Sequence, residues 1–290
     1  MTAIIEFGSR RNGCYDSFSD KDAYLLYGPN DNVVQEKDKL ERQGYSVTTS
    51  TRERAEYLSA KGNLFVRHVF FEGAVIGGCE QDKMNIKNLW RSAPCYDREI
   101  EENIGMLAIL EAVPSTIEAM AAVNDIIICS LRNILIRKLA NSDFFVFSWK
   151  DIISESRKRK LISENDAKVM YQARMYKNGY RLGLTPKVNW RFLELLEEIM
   201  QKVIDRKRKI KLGSHKEVLA SPEKVKEGSY SQLRAIELLC SHYRFHESMK
   251  KYSSLVKDPA YFSAFGSSKA LQRHSAKCSF INKGGFSARD

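Results

Sequence analysis

The sequence predicts an α+β protein with a small mixed β-sheet near the N-terminus and a long helical region after it. Three observations support this class. Short apolar or β-branched runs between turn residues fill the first part of the chain, apolar residues recur at helical spacing after residue 100, and 290 residues allow two domains. We expect a domain over residues 1–95 with helices on one side of its sheet, a basic helical bundle over 96–280 and a disordered tail over 281–290.

The N-terminal elements follow from short patterns. Four segments have the composition of strands, residues 2–7, 22–27, 45–51 and 74–76. Asp31 or Asn32 is expected to cap a helix that stops at Gly44, because short polar residues favour N-caps and glycine favours the position after a helix. A second helix is expected from Arg52. Residues 77–100 are polar and predict irregular chain at a domain boundary.

The remainder of the sequence predicts helices. Their expected ranges are 115–139 with Ser115 as the cap, a helix opened by Ser163, 190–210, 230–256 and 258–272. Two basic runs, Arg157–Lys160 and Arg206–Lys211, are expected at C-terminal helix ends, where cations interact favourably with the helix dipole. Binding of phosphate groups is the alternative role for these runs.

Composition indicates a soluble cytoplasmic protein. No apolar run approaches the roughly 20 residues of a membrane span, and the first strand leaves no room for a signal peptide. Six cysteines without metal-site spacing are expected to be free thiols in a reducing compartment. Residues 1–100 hold 14 Lys and Arg against 15 Asp and Glu, so the net charge of +11 is carried by the rest of the chain. This distribution favours an anionic partner.

One pair of acids has the spacing of a metal-binding site. Asp20 and Asp22 are two residues apart at the start of a predicted strand, so their side chains share a face. Two adjacent carboxylates repel each other unless a cation lies between them, and carboxylate oxygens suit Mg²⁺. Gly8 allows close approach to the backbone, and the Ser9 hydroxyl with nearby N–H groups can hold an anion. The pattern predicts a metal–triphosphate site.

Gly8-Ser9, a ten-residue spacer and Asp20-Lys21-Asp22 resemble the motif of the DNA polymerase β-type nucleotidyltransferase superfamily, as found in minimal nucleotidyltransferases and aminoglycoside nucleotidyltransferases. The resemblance implies transfer of a nucleoside monophosphate from an NTP, with ATP favoured, two Mg²⁺ ions bound and pyrophosphate released. Arg11 lies where relatives often carry an arginine, and a phosphate contact and a solvated loop charge both remain open for it. The resemblance also implies a toxin–antitoxin or phage-defence setting with a cognate toxin or defence partner.

The resemblance implies that the acceptor is a hydroxyl of a macromolecule, on a protein side chain or at an RNA 3′ end, and the basic helical region favours an anionic acceptor or partner. A small antibiotic-type acceptor is the first alternative, but a cationic aminoglycoside would require an acidic cleft. The second alternative is a catalytically weak nucleotide-binding antitoxin or interaction module. It arises because the strand at 45–51 carries only hydroxyls where active relatives often have a third carboxylate. Replacement of that group by Glu53 or Asp16, slow turnover and absence of turnover all remain open.

His68 belongs to a further segment of interest. Its spacing from Leu64-Phe65 before it and Glu72-Gly73 after it is similar to a segment that follows the third strand in some bacterial nucleotidyltransferases. A nucleotide contact is one interpretation of His68. A buried, hydrogen-bonded histidine is the favoured one.

Overall fold

The structure, a computed structural model, describes residues 3–8, 21–181, 186–226 and 229–240. It confirms the α+β class, with a four-stranded mixed sheet near the N-terminus followed by a helical region. The described chain forms two compact units. The first contains the residues up to Asp97 together with Ile136–Glu155, and the second contains Arg98–Leu135 and the described residues from Ser156 onward. The sequence analysis did not assign Ile136–Glu155 to the first unit.

The sheet of the first unit has four strands, which are β1 Ala3–Phe7, β2 Lys21–Tyr27, β3 Tyr45–Thr51 and β4 Ala74–Gly77. Their order across the sheet is β3-β2-β1-β4. β1 pairs antiparallel with β2 and with β4, whereas β2 pairs parallel with β3. All four predicted strands are confirmed to within one residue at each end.

One face of this sheet carries the larger core of the unit. Ile5 and Phe7 of β1 lie on it with Tyr24 and Leu26 of β2, because alternate residues of a strand project to the same side. Three helices and one π-helical turn cover this face, α2 Arg52–Ala60, α3 Leu64–Arg67, the turn His68–Glu72 and α4 Glu80–Leu89. Burial of a side chain such as Phe70 contributes about 1.5–3 kcal/mol.

The opposite face of the sheet is also covered. Ala23 and Leu25 of β2 and Val47 of β3 pack there against Leu40 of α1, which spans Val33–Arg42. The expectation of helices on one side therefore holds for α2 to α4 only. The signal for a sheet covered on both faces was the unbroken apolar run of β2, since strands buried on both faces do not alternate.

The ends of α1 agree with the sequence prediction. The side chain of Asn32 accepts a hydrogen bond from the backbone N–H of Gln35 at 3.3 Å. The helix stops before Gly44, whose φ of +85° lies in the left-handed region that glycine adopts without strain.

The prediction of irregular chain over residues 77–100 is wrong for α4. Its Ile86 is buried in the core, and its Asp82 accepts a hydrogen bond from the Arg52 guanidinium at 2.7 Å. The pattern was missed because α4 presents few apolar residues, so its hydrophobic spacing is weak.

The described chain from Asp97 onward is helical. Its helices are α5 Asp97–Met106, α6 Ile117–Ala140, α7 Trp149–Lys158, α8 Glu164–Arg181, α9 Trp190–Ile204, α10 His215–Ala220 and α11 Tyr230–Cys240. The helices predicted near residues 115, 163, 190 and 230 are confirmed. Thr116, not Ser115, caps α6 by accepting from the N–H of Ala119 at 3.2 Å. The expected continuation of α11, the helix at 258–272 and the tail at 281–290 lie outside the described residues.

The end of α9 differs from its prediction. The helix was expected to continue to about Ile210 but ends at Ile204, because Asp205 adopts a left-handed conformation with φ of 52°. The basic run Arg206–Lys211 therefore follows the helix as a separate non-helical segment. It does not form the last helical turn.

Two features bear on cellular location. By length and composition Ala119–Ala140 of α6 is apolar enough to cross a membrane, which the sequence analysis did not recognise, but 78% of its apolar window is buried. That burial is typical of the core helix of a soluble protein. Among the described cysteines, Cys79, Cys95 and Cys129 form no disulfide bond.

Candidate nucleotide site

The end of β1 and the start of β2 bring a glycine and an acid together. Phe7 and Asp22 are directly opposed in the antiparallel pair, and Gly8 follows Phe7 with a φ of +91°. A methyl group placed on Gly8 would lie 2.9 Å from Oδ2 of Asp22. Any side chain at Gly8 would therefore displace this carboxylate. The glycine bend and one acid of the Asp-x-Asp pair are immediate neighbours.

The other predicted site residues, Ser9, Arg11 and Asp20, lie outside the described residues, as does Asp16. The structure thus locates Gly8 and Asp22 of the predicted constellation and leaves the remaining three as predictions.

The strand beside Asp22 provides hydroxyls on the relevant face. β2 and β3 run parallel with Asp22 opposite Ser46, and Thr48 and Ser50 follow on the same face. Glu53 comes two residues after Thr51, which is opposite Tyr27 at the far end of β2. At about 3.3 Å per residue, five residues separate the level of Asp22 from that of Tyr27 by roughly 17 Å. The suggestion that Glu53 replaces a third carboxylate is wrong.

Glu6 is also an acid near Asp22 in the sheet, but it lies on the opposite face. Its Oε1 accepts a hydrogen bond from the Tyr45 hydroxyl at 3.2 Å. Burial, and then the negative charge of Glu6, raise the pKa of Tyr45. The ammonium of Lys21 lies 5.5 Å from the centre of the Tyr45 ring. Glu6 therefore takes part in a polar cluster on the α1 side of the sheet.

An imidazole–carboxylate pair lies on the same face as Asp22 and at the same end of the sheet. His68 Nδ1 is 3.0 Å from Glu72 Oε2, within the π-helical turn. The His68 ring packs edge-on against Phe7 at 5.5 Å between centroids and lies 4.7 Å from the ring of Phe147. Phe7 is opposite Asp22 in the sheet, so its contact with His68 shows which face and which end of the sheet the His68–Glu72 pair occupies. As predicted, His68 is hydrogen-bonded, but it is only partly buried, with 12% of its side chain exposed.

The hydrogen bond to Glu72 has a chemical consequence for His68. A carboxylate at Nδ1 favours the tautomer with its proton on that nitrogen and leaves Nε2 as the basic nitrogen. Single π-helical turns within helices often occur at functional sites. The sequence predicts a hydrogen bond for His68 without its partner, and the Glu72 at the i+4 position was the signal for that partner.

Arg67, the residue before His68, has a packing role. Its guanidinium carbon lies 4.1, 4.3 and 4.5 Å from the ring centres of Phe145, Phe71 and Trp90. Burial among these rings lowers the pKa of Arg67. Such cation–π contacts contribute about 0.5–2 kcal/mol each, and Phe145 thereby anchors the segment Ile136–Glu155 within the first unit.

The helical unit contains a buried charged network that the sequence analysis missed. Arg234 of α11 is 2.5 Å from Oδ2 of Asp125 in α6. Its Nη1 is 2.6 Å from Oε2 of Glu237, an ion pair without hydrogen-bond alignment. The Tyr180 hydroxyl donates to Oε1 of Glu237 at 2.7 Å. Burial, and then the Glu237 charge, raise the pKa of Tyr180 well above its ordinary value. The signal in the sequence was Asn124-Asp125, which interrupts the apolar run of α6.

This network joins three helices of the second unit. Burial alone would lower the pKa of Arg234, but the charge of Glu237, with Asp125 among the other contributors, holds it well above the usual range. The side chains of Asp125, Arg234 and Glu237 are each about 1% exposed. This degree of burial fits a structural role, because a substrate in solution has no access to these groups.

Comparison with known proteins gives no match to a family model, to a curated protein or to a solved structure. The function is therefore inferred from the residues of this chain.

Proposed function

We propose that the protein is a Mg²⁺-dependent nucleotidyltransferase of the DNA polymerase β type. In this proposal it transfers a nucleoside monophosphate from an NTP, preferably ATP, to a hydroxyl of a macromolecule in the cytoplasm. The observation that carries the proposal is the proximity of Gly8 and Asp22, because the motif requires a glycine bend beside an Asp-x-Asp strand. If the two aspartates were only solvated surface acids, no glycine would be needed so close to Asp22.

The residues at this end of the sheet fit a magnesium–triphosphate group. Asp22 supplies carboxylate oxygens, and the missing side chain at Gly8 leaves space beside Oδ2. Asp20 and Asp22 would hold the Mg²⁺ ions. Ser9 and the backbone N–H groups near Gly8 would bind the triphosphate, with Arg11 as a further phosphate contact. Bound Mg²⁺ stabilises negative charge on the reacting and departing phosphates.

His68 is the proposed proton acceptor for the attacking hydroxyl. Its Nε2 would take the proton of the hydroxyl, and Glu72 would orient the ring through Nδ1. The support for this role is the contact of His68 with Phe7, on the face and at the end of the sheet where Asp22 lies.

The test is transfer of label from each radioactive NTP in the presence of Mg²⁺, total RNA and lysate protein. Asp20→Asn and Asp22→Asn should each lower the rate by roughly a thousandfold, because bound metal supplies several kcal/mol and each 1.4 kcal/mol is about tenfold. Asp38→Asn on the exposed side of α1 is the matched control, since it removes the same charge away from the site. Transfer by both site variants at the parental rate would refute the proposal.

A second candidate function is nucleotide binding without turnover, in an antitoxin or interaction module. It is favoured by the hydroxyl face of β3, on which Ser46 stands opposite Asp22. The same experiment separates the two, because filter binding of labelled NTP without any product would select the binding module. Label on RNA would identify RNA as the acceptor and indicate a role in RNA processing. Label on protein would identify a protein acceptor and indicate modification of a cognate toxin or defence partner.

A further inference from the structure

The basic segment Arg206–Lys211 is held in place by side chains of α9. Gln201 Nε2 donates to the backbone oxygen of Arg208 at 2.9 Å and to Oε1 of Glu197 at 3.0 Å. Oε2 of Glu197 accepts from the backbone N–H of Ile210 at 2.7 Å. These contacts bind the carbonyl oxygen of Arg208 and the N–H of Ile210, so the segment has a fixed path within the helical unit.

Arg208 is partly buried and Ile210 is buried, whereas Arg206 is exposed but paired. Arg206 forms two hydrogen bonds to the carboxylate of Glu101, at 2.7 and 2.6 Å, and Arg208 pairs with Glu111 at 3.3 Å. The two arginines are therefore neutralised by acids of the same unit.

Odd-numbered residues of the segment face solvent. Lys207, Lys209 and Lys211 are all exposed, and none forms an ion pair with an acid in the described ranges. The charge of Lys211 contributes to lowering the pKa of Glu217, but hydrogen bonds that this carboxylate accepts from Ser214 at 2.7 and 2.6 Å are the larger cause. From Lys207 to Lys211, exposed lysines alternate with the partly buried Arg208 and the buried Ile210, as in extended chain, so the three lysines form a row on one edge.

We propose that Lys207, Lys209 and Lys211 bind the phosphodiester backbone of a single-stranded nucleic acid. Alternate residues of extended chain are about 6.6 Å apart, a separation comparable with that of successive phosphates on an extended strand. Lysine ammonium groups act as point charges for phosphate and read no base. The row spans roughly 13 Å, which is longer than the triphosphate chain of a nucleotide. This site is in the second unit and does not depend on the proposed transferase.

The test is fluorescence anisotropy of the full chain with a fluorescein-labelled oligouridylate at several NaCl concentrations. Combined Lys207→Gln, Lys209→Gln and Lys211→Gln should reduce the salt slope by about two, because each lost contact to a single strand removes about 0.7. At about 0.1 M salt the affinity should fall by roughly tenfold to a hundredfold. The corresponding Lys→Arg triple variant should bind as the parent does.

The matched control removes the same charge elsewhere in the unit, by Lys168→Gln, Lys187→Gln and Lys226→Gln, all at exposed positions. Its affinity should change much less. Equal losses in both triple variants, an unchanged affinity in the first, or no binding by the parent would each overturn the proposal. Equal binding of a duplex RNA with the same dependence on the three lysines would also overturn it. Circular dichroism and urea midpoints verify folding, and Asp22→Asn should leave this binding intact.

Discussion

Substitution of Gly8 by alanine tests whether the glycine bend and Asp22 form one site. The φ of +91° at Gly8 is strained for any L-residue, which costs about 1–2 kcal/mol. The new methyl group would lie 2.9 Å from Asp22 Oδ2. The carboxylate must then retreat by roughly half an ångström to regain a normal contact distance. That movement costs little stability, because the end of an aspartate side chain is flexible, but it displaces a proposed metal ligand.

Gly44→Ala provides a matched control for the backbone strain. Gly44 has a φ of +85°, and a methyl group there would meet no atom within 4 Å. Both variants should lose about 1–2 kcal/mol in the free energy of unfolding by urea. Only Gly8→Ala should lose transfer activity, by about tenfold to a hundredfold, since a 1 Å displacement in a catalytic site can cost about 10²-fold.

A double variant tests whether the stability cost of Gly8→Ala comes from backbone strain or from the contact with the Asp22 carboxylate. In an Asp22→Ala background the carboxylate is absent, so Gly8→Ala should cost the same stability as Gly44→Ala. Parental transfer rates in Gly8→Ala, or an equal loss of rate in Gly44→Ala, would refute the reasoning.

The remaining predictions concern the buried network of the second unit. An exposed tyrosine has a pKa near 10.0, and burial and the charge of Glu237 raise the pKa of Tyr180 in the folded state. The folded state therefore binds the Tyr180 proton more tightly than the unfolded state does. As a result, the free energy of unfolding should fall as pH rises above about 10. Urea unfolding between about pH 8 and 11 should show a smaller alkaline decline in Tyr180→Phe, and an unchanged slope would contradict the assignment. Arg234→Met leaves Asp125 and Glu237 buried without their cation and should cost about 3–5 kcal/mol in the same assay at neutral pH, whereas a loss below about 1 kcal/mol would count against it.

The sheet could be predicted from the sequence because its signals are local. Four of the seven residues of the strand YSVTTST are β-branched, and the stop at Gly44 depends on one residue type. The left-handed end of α9 at Asp205 carries no comparable signal, since aspartate adopts that conformation only where its surroundings favour it. The basic run beyond it was therefore assigned to a helix that had already ended.

Features that depend on distant residues escaped sequence reasoning. Arg234 and Asp125 are 109 residues apart, and the sequence around either residue does not indicate that the other is its partner. The same limitation applies to Ile136–Glu155, whose Phe145 packs on Arg67 of the first unit. The proximity of Gly8 and Asp22 was predictable, because Gly8 directly follows β1 and Asp22 lies in the neighbouring strand β2.

The parallel register of β2 and β3 limits how the proposed transferase could work. In two-metal chemistry a third carboxylate both helps to hold metal and orients the acceptor hydroxyl. The residue opposite Asp22 is Ser46, whose hydroxyl carries no charge, and Glu53 lies at the wrong end of the strands. The two tasks would then be divided, with metal held by Asp20 and Asp22 alone and the hydroxyl proton accepted by His68. Fewer anionic ligands mean weaker metal binding. This division would favour slow transfer over absent transfer, because the loss of a metal ligand would lower metal occupancy while Glu72 would still orient the proposed base, His68.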